Sequence, residues 1–265
     1  MLRYEVRGRV ALLTFDRPEV RNAWDVPMYR AIEAALTRAN ADPAVGALVF
    51  TNTGKVYCSG TNLKAAPEPR GADGKVPTIG SLTMAPEVGW AHLLRASKPS
   101  IAAVNGAAIG LGVTQLLPMD VRMGATTSTY AFPFLAIGRM PELGSTALLG
   151  RLVGEGRARD LCLSAATIDA AEALRIGLIT RVHAPDALLD AALALGERIA
   201  GWAPLPLRLT RQMFDDNVMQ DDFNQVLRRE TAAFDELRRS LRAAAASTAD
   251  PTPAAPPPGS PRSNS

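Results

Sequence analysis

Cysteine is nearly missing from this chain of 265 residues: Cys58 and Cys162 stand far apart and offer no disulfide framework. A core of this size needs none. Histidine is equally scarce, and neither His92 nor His183 has cysteine or acidic neighbours at ligand spacing, which argues against a metal centre or a Ser-His-Asp triad. Aromatic residues make up 5% of the chain against 47% apolar overall, so the core must be built mainly from Ala, Leu, Val and Ile. Blocks of like charge are absent too. The net charge of +3 comes from intermixed Arg, Asp and Glu, which speaks against a nucleic-acid partner, although a mildly basic surface suits an anionic, phosphate-bearing ligand. The most apolar run, residues 101–118, is too short for a membrane span and contains Asn105 and Gln115. Met1 leads directly into an alternating segment with no secretory pattern, so a cytoplasmic protein is expected.

What is present reads as alternating strands and helices. Residues 2–15 predict two short strands around Gly8, stopped by Asp16-Arg17-Pro18. Met28, Ile32, Ala35, Leu36 and Ala39 have the spacing of one buried helix face over 26–40. Residues 45–51 fit a buried strand, and 67–77, with prolines and glycines, a loop. Residues 84–95 predict a helix, 100–104 a second buried strand, and 107–117 a glycine-bearing helix; short strands follow at 120–123 and 128–132. Two strand-turn-helix units, each with a glycine at its turn, indicate an α/β layered fold. Beyond residue 144 the pattern is helical: 144–154, 155–163, 169–176, 187–200, 206–218 and 220–245. The alanine- and proline-rich end cannot repay the entropy of ordering and is expected to be a disordered tail.

Few segments announce chemistry. There is no G-x-S-x-G elbow, and Gly110-Leu111-Gly112 lacks the spacing of a dinucleotide fingerprint. Cys58, between Tyr57 and Ser59, reads as a small buried side chain rather than a nucleophile. Two glycine turns remain, Ser59-Gly60-Thr61 and Gly110-Leu111-Gly112, each just after a buried strand. Their glycines either tighten packing or let a ligand approach the main chain, where two amides aimed at one oxygen would form an anion hole. Glu142, in Arg139-Met140-Pro141-Glu142-Leu143-Gly144, precedes a largely apolar segment. It is either an early helical carboxylate favoured by the dipole or a partly buried functional acid.

These residues fall in a recognisable order. FDRPEVRNA at 15–23, VYCSGTNLK at 56–64, KPSIAAVNGAAIGLG at 98–112, AFPFLAIGRMPELGSTALLGRLVG at 131–154 and SAATIDAAEALRIGLITRV at 164–182 resemble the crotonase superfamily, the enoyl-CoA hydratase/isomerase family. The resemblance spans residues 10–245. It implies a spiral of ββα units, here 1–195, then a helical trimerisation region at 196–245, with the tail at 246–265 outside it. It also implies an acyl-CoA substrate, with CoA carried as part of the substrate and no other cofactor or metal, and a homotrimer or dimer of trimers.

By the same resemblance, the oxyanion amides would be those of Thr61 and Leu111, the latter standing where many relatives have glycine; its side chain is expected to crowd the acyl chain. Arg21, Ala23, Ser59, Gly60, Asn62 and Leu63 would line the CoA groove. The two glutamates that a hydratase of this family aims at water fall on Thr114 and Phe134, which cannot act as carboxylates and are left as pocket residues. Glu142 matches the acid of the Δ3,Δ2-enoyl-CoA isomerase branch, so double-bond migration with Glu142 as the catalytic base is expected. The alternatives are a divergent hydratase, hydrolase or lyase, and an acyl-CoA-binding module without turnover.

Overall fold

The computed structural model describes the backbone of residues 1–248 and side chains through Ala244; the expected tail from residue 249 onward lies outside the described residues. Two units are distinguished, Met1–Trp202 and a second beginning at Ala203. The proposed boundary at 195 falls inside a helix that belongs to the first unit.

The first unit opens with an antiparallel hairpin, β1 (Leu2–Arg7) and β2 (Val10–Phe15), followed by α1 (Val26–Ala41). Asp25 accepts the Met28 N–H and caps α1, and Met28, Ile32, Ala35, Leu36 and Ala39 are buried along one face, as their spacing predicts. Then the chain steps repeatedly between two sheets. β3 (Ala47–Asn52) is followed by β4 (Val56–Cys58), β5 (Ser100–Val104) by β6 (Ala107–Ile109), and β7 (Val121–Ala125) by β8 (Thr129–Ala131). The first strand of each pair joins a six-stranded sheet of order β1-β2-β3-β5-β7-β10. The second joins a four-stranded sheet of order β4-β6-β8-β9, in which β9 (Thr167–Asp169) pairs antiparallel with β8, while β10 (Arg181–His183) closes the larger sheet parallel to β7.

Short helices fill the crossovers: α2 (Ile79–Thr83) and α3 (Trp90–Arg95) after β4, and α4 (Leu111–Thr114) after β6. Successive turns stack in parallel register, which is the spiral of ββα units that the resemblance implies. α5 (Ser145–Val153), α6 (Glu155–Leu163), α7 (Ala170–Arg175) and α8 (Leu188–Ala200) complete the unit.

The central strands are buried on both faces, which is why they read as continuous apolar runs rather than alternating ones. Leu13, Phe50, Ala102 and Val104 belong to the core shared with α1; Leu12, Val49, Ile101 and Ala103 belong to the core shared with α8. The few aromatics gather in one place: Trp24 meets Trp90 edge-on at 5.1 Å, and Phe15 meets Tyr57 at 5.3 Å.

Two expectations need correction. The helix expected over 84–95 is confined to α3, because Pro86 removes a donor, Glu87 is left-handed at φ 67° and Gly89 begins the helix. The helix expected over 107–117 starts only at Leu111, because residues 107–109 pair with β4 and β8 as β6. The strands β9 and β10, three residues each, lie in the connections between the expected helices, where no strand was read.

In the second unit, α9 (Pro204–Asn217) and α10 (Phe223–Thr248) pair through an Arg208–Glu236 ion pair and through Arg229, which donates to Asp216 O and Asn217 Oδ1. Helical backbone continues to Thr248, three residues into the expected tail, in a run of alanine that favours helix. Phe214, Phe223, Phe234 and Leu241 are exposed.

Candidate active site

The segment after the short 3-10 turn Pro18–Val20 and the segment after β4 run side by side. Trp24 and Thr61 form a parallel bridge: Trp24 N–H donates to Gly60 O at 2.8 Å and Asn62 N–H donates to Trp24 O at 2.7 Å. Ser59 N–H donates to Arg21 O at 3.1 Å, so both segments expected to line a CoA groove are drawn together. In such a ladder the bridging residue turns its own N–H to the opposite side, leaving the Thr61 amide directed away from Trp24. The rest of this region is braced by polar side chains. Asn22 is fully buried at φ 54°; its Oδ1 accepts Arg17 N–H, and its Nδ2 donates to Thr53 O and Val56 O. Asp25 takes Arg17 Nη1 at 2.6 Å and Asn62 Nδ2 at 3.3 Å. Burial alone would raise the Asp25 carboxyl, but the hydrogen bonds from Arg17, Met28 N–H and Asn62 hold it below the usual aspartate range. Leu63 lies exposed at the rim, while Ala23 is buried.

The two glycine turns meet. Gly60 is left-handed at φ 97°, and a Cβ there would lie 3.0 Å from Ile109 O and 3.6 Å from Leu111 N. Glycine is therefore required both for the backbone conformation and for this approach. Gly112 is pressed harder still, since its Cβ would lie 2.1 Å from Cys58 O. Leu111 is the first residue of α4, where helix N–H groups have no intrahelical acceptor. Neither Thr61 N–H nor Leu111 N–H donates to another group among the described residues. The Leu111 side chain, expected to crowd the acyl chain, is buried within the main core at 1% exposure.

Phe134 forms a wall here: its Cε1 lies 3.8 Å from where a Gly110 Cβ would stand. Thr114, expected to line the pocket, is fully buried, with its hydroxyl donating to Leu111 O at 3.4 Å. From Phe134 a short loop, tied by Arg139 N–H to Phe134 O at 2.8 Å, leads to Glu142. Glu142 is half-buried, and loss of water raises its carboxyl above the usual glutamate range, partly offset by Arg139. It stands before Leu143 and Gly144, both left-handed at φ 58° and 71°, and its carbonyl accepts Ser145 N–H at 3.0 Å. That tight turn, rather than a helical first turn, fixes the acid.

Other sequence candidates lie elsewhere. His92 is on α3 and His183 on the edge strand β10. Among the described residues no three His, Cys, Asp or Glu side chains gather as a metal site, and no helix is long and apolar enough to cross a membrane. Cys58 is fully buried, and desolvation pushes its thiol up to about 12, so it is not an ionised nucleophile. The sequence reading missed Arg17, Asn22 and Asp25 as braces of the site. The tripeptide Asn22-Ala23-Trp24 before a helix-starting Asp25-Val26-Pro27 was the available signal, since buried Asn and a capping Asp both mark fixed turns.

Two sheets stacked by a ββα spiral, with paired glycine turns above them, define a crotonase-type architecture. A profile described as enoyl-CoA hydratase/isomerase matches residues 5–246, and this chain belongs to the enoyl-CoA hydratase/isomerase family. It is 37% identical over 199 residues to a probable enoyl-CoA hydratase of Rhizobium meliloti (strain 1021), covering 75% of each chain. It is 32% identical over 234 residues to the short-chain-enoyl-CoA hydratase of Clostridium acetobutylicum, covering 88% of this chain and 87% of the relative. A crystal structure of a probable enoyl-CoA hydratase/isomerase from Mycobacterium abscessus superimposes with a TM-score of 0.78 at 31% identity, over 90% of both chains.

Proposed function

We propose that the chain isomerises a 3-enoyl-CoA to the 2-enoyl-CoA through a thioester enolate. The Glu142 carboxylate takes a proton from C2, and the C–H electron pair delocalises through the carbonyl to give a dienolate. The Thr61 and Leu111 amides stabilise the negative oxygen as it forms. The dienolate then takes the same proton from the Glu142 carboxyl at C4, which shifts the double bond to C2–C3 and regenerates the base. The substrate's CoA portion lies along the paired segments Arg21–Ala23 and Ser59–Leu63, and no further cofactor takes part.

One observation carries the choice of reaction: Glu142 is a half-buried acid with a raised carboxyl, while the two positions that would carry a hydratase's acids are Thr114 and Phe134. Thr114 is occupied by its own helix carbonyl, and Phe134 presents a ring, so a water held between two carboxylates has no counterpart.

The test is product analysis on matched 3-enoyl- and 2-enoyl-CoA substrates for the parent and Glu142→Gln. Double-bond migration is expected, with kcat falling on the order of 10²-fold or more in the variant. Equal rates in parent and variant would remove Glu142 from the chemistry.

A second reading is hydration, favoured by the relatives, which are named as hydratases. Exclusive formation of a 3-hydroxyacyl-CoA would select it. We also propose that the chain assembles as a homotrimer or dimer of trimers. The exposed Phe214, Phe223, Phe234 and Leu241 of the second unit support self-association.

A further inference from the structure

We infer that Cys58 is a positioning residue for the oxyanion hole, its thiol fixing the Gly60–Thr61 peptide and its carbonyl setting the distance to α4. The inference rests on the proposed role of the Thr61 and Leu111 amides and adds a residue to it. Gly60 N–H donates to Cys58 Sγ at 3.4 Å, and the thiol in turn lies 3.9 Å from Gly60 O, which it faces as a weak donor. Gly60 O is also held by Trp24 N–H at 2.8 Å. The peptide is planar, so fixing the Gly60 carbonyl fixes the Thr61 N–H pointing the other way. On its other side, Cys58 O lies where a Gly112 Cβ would approach to 2.1 Å, directly beneath the first turn of α4. A single residue thus touches both turns that carry the proposed donors.

The sulfur is suited to this task. Its thiol is fully buried and raised to about 12 by desolvation, partly offset by the Gly60 and Trp24 amides and by Gln115, so it remains neutral throughout the working pH range. The Gln115 side chain is fully buried beside the sulfur, and its main-chain carbonyl accepts Trp90 Nε1 at 2.8 Å. Among the described residues, the Gly60 N–H has no other acceptor. Without the sulfur that buried donor would be orphaned, and the Ser59–Gly60 peptide would rotate to seek another acceptor, turning the adjoining Gly60–Thr61 peptide and its N–H with it.

Cys58→Ala and Cys58→Ser separate this from simple space filling, because alanine and serine are close in size and only serine keeps an acceptor. Butyryl-CoA, a saturated thioester that cannot isomerise, serves as the infrared probe. In the parent, its carbonyl stretch is expected to fall on binding, as two donors polarise the bond. The shift should be smaller in Cys58→Ala and restored in Cys58→Ser. On a 3-enoyl-CoA substrate, kcat should fall about tenfold in Cys58→Ala with KM within about twofold, less than the hundredfold or more caused by outright loss of a donor. Matching shifts and rates in the two variants overturn the inference while leaving the hole intact. An unshifted band in the parent overturns the hole and this inference together. Should neither variant fold, the S–H stretch of Cys58 in a Cys162→Ala background gives the answer: it moves on butyryl-CoA binding if the thiol is coupled to the hole, and an unmoved band overturns the inference.

Discussion

Taking Glu142 out of water makes it a better base and a worse contributor to stability. Its carboxyl is raised in the folded chain, so between the unfolded and folded values the native state holds more protons than the unfolded state. Stability therefore falls as pH rises through that window, and the loss is complete above the folded value. Glu142→Gln is expected to abolish this term: thermal melts should show the variant more stable than the parent at neutral pH, with the two converging in acid. The same raised carboxyl sets the acidic limb of the kcat/KM profile for isomerisation, which should lie above an ordinary glutamate's and vanish with the variant. Asp25 has the opposite sign, since its lowered carboxyl adds stability above the unfolded value that is lost as pH falls through the folded one. Leu111 separates packing from donation. Leu111→Ala keeps the backbone amide but opens the core, and denaturant titration should show a loss of about 2–5 kcal/mol.

At the scale of elements, the site depends on where short strands end. Asn22 joins the turn after β2 to the residues around β4 with three hydrogen bonds, so Asn22→Ala should cost on the order of 3 kcal/mol and raise KM for acyl-CoA as the groove loosens. Equilibrium unfolding and substrate titration check the two parts. Much of this layer was legible: Met28, Ile32 and Leu36 announced α1, the apolar runs at 45–51 and 100–104 announced buried strands, and Gly60 and Gly112 marked close approach. What could not be read was pairing across distance. Residues 107–109 have no local signal that favours strand over helix, and become β6 only because β4 and β8 flank them. Likewise, Cys58 looked like inert filling because its hydrogen bond to Gly60 follows from the left-handed turn rather than from any spacing. The burial of Leu111 in the core likewise follows from the α4 turn rather than from any sequence spacing.

For the whole molecule, the proposed trimer makes a measurable claim. Light scattering of the parent should give three or six copies, and a Phe223→Asp, Phe234→Asp double variant, which places charge on exposed apolar positions, should shift toward monomer. Within the first unit, α8 returns to the opening hairpin: Arg9 N–H donates to Glu197 Oε1 at 2.7 Å across 188 positions, and Gly196 lies against Val10. A nascent chain therefore leaves the ribosome with Leu12, Val49 and Ile101 uncovered until residues 188–200 have been made. Synthesis halted before that helix should yield an aggregation-prone product, and refolding from denaturant should be limited by this late, long-range docking. The last helix of the unit thus acts as its own delayed chaperone, and slowing translation just ahead of it should lengthen the interval in which the chain needs outside help.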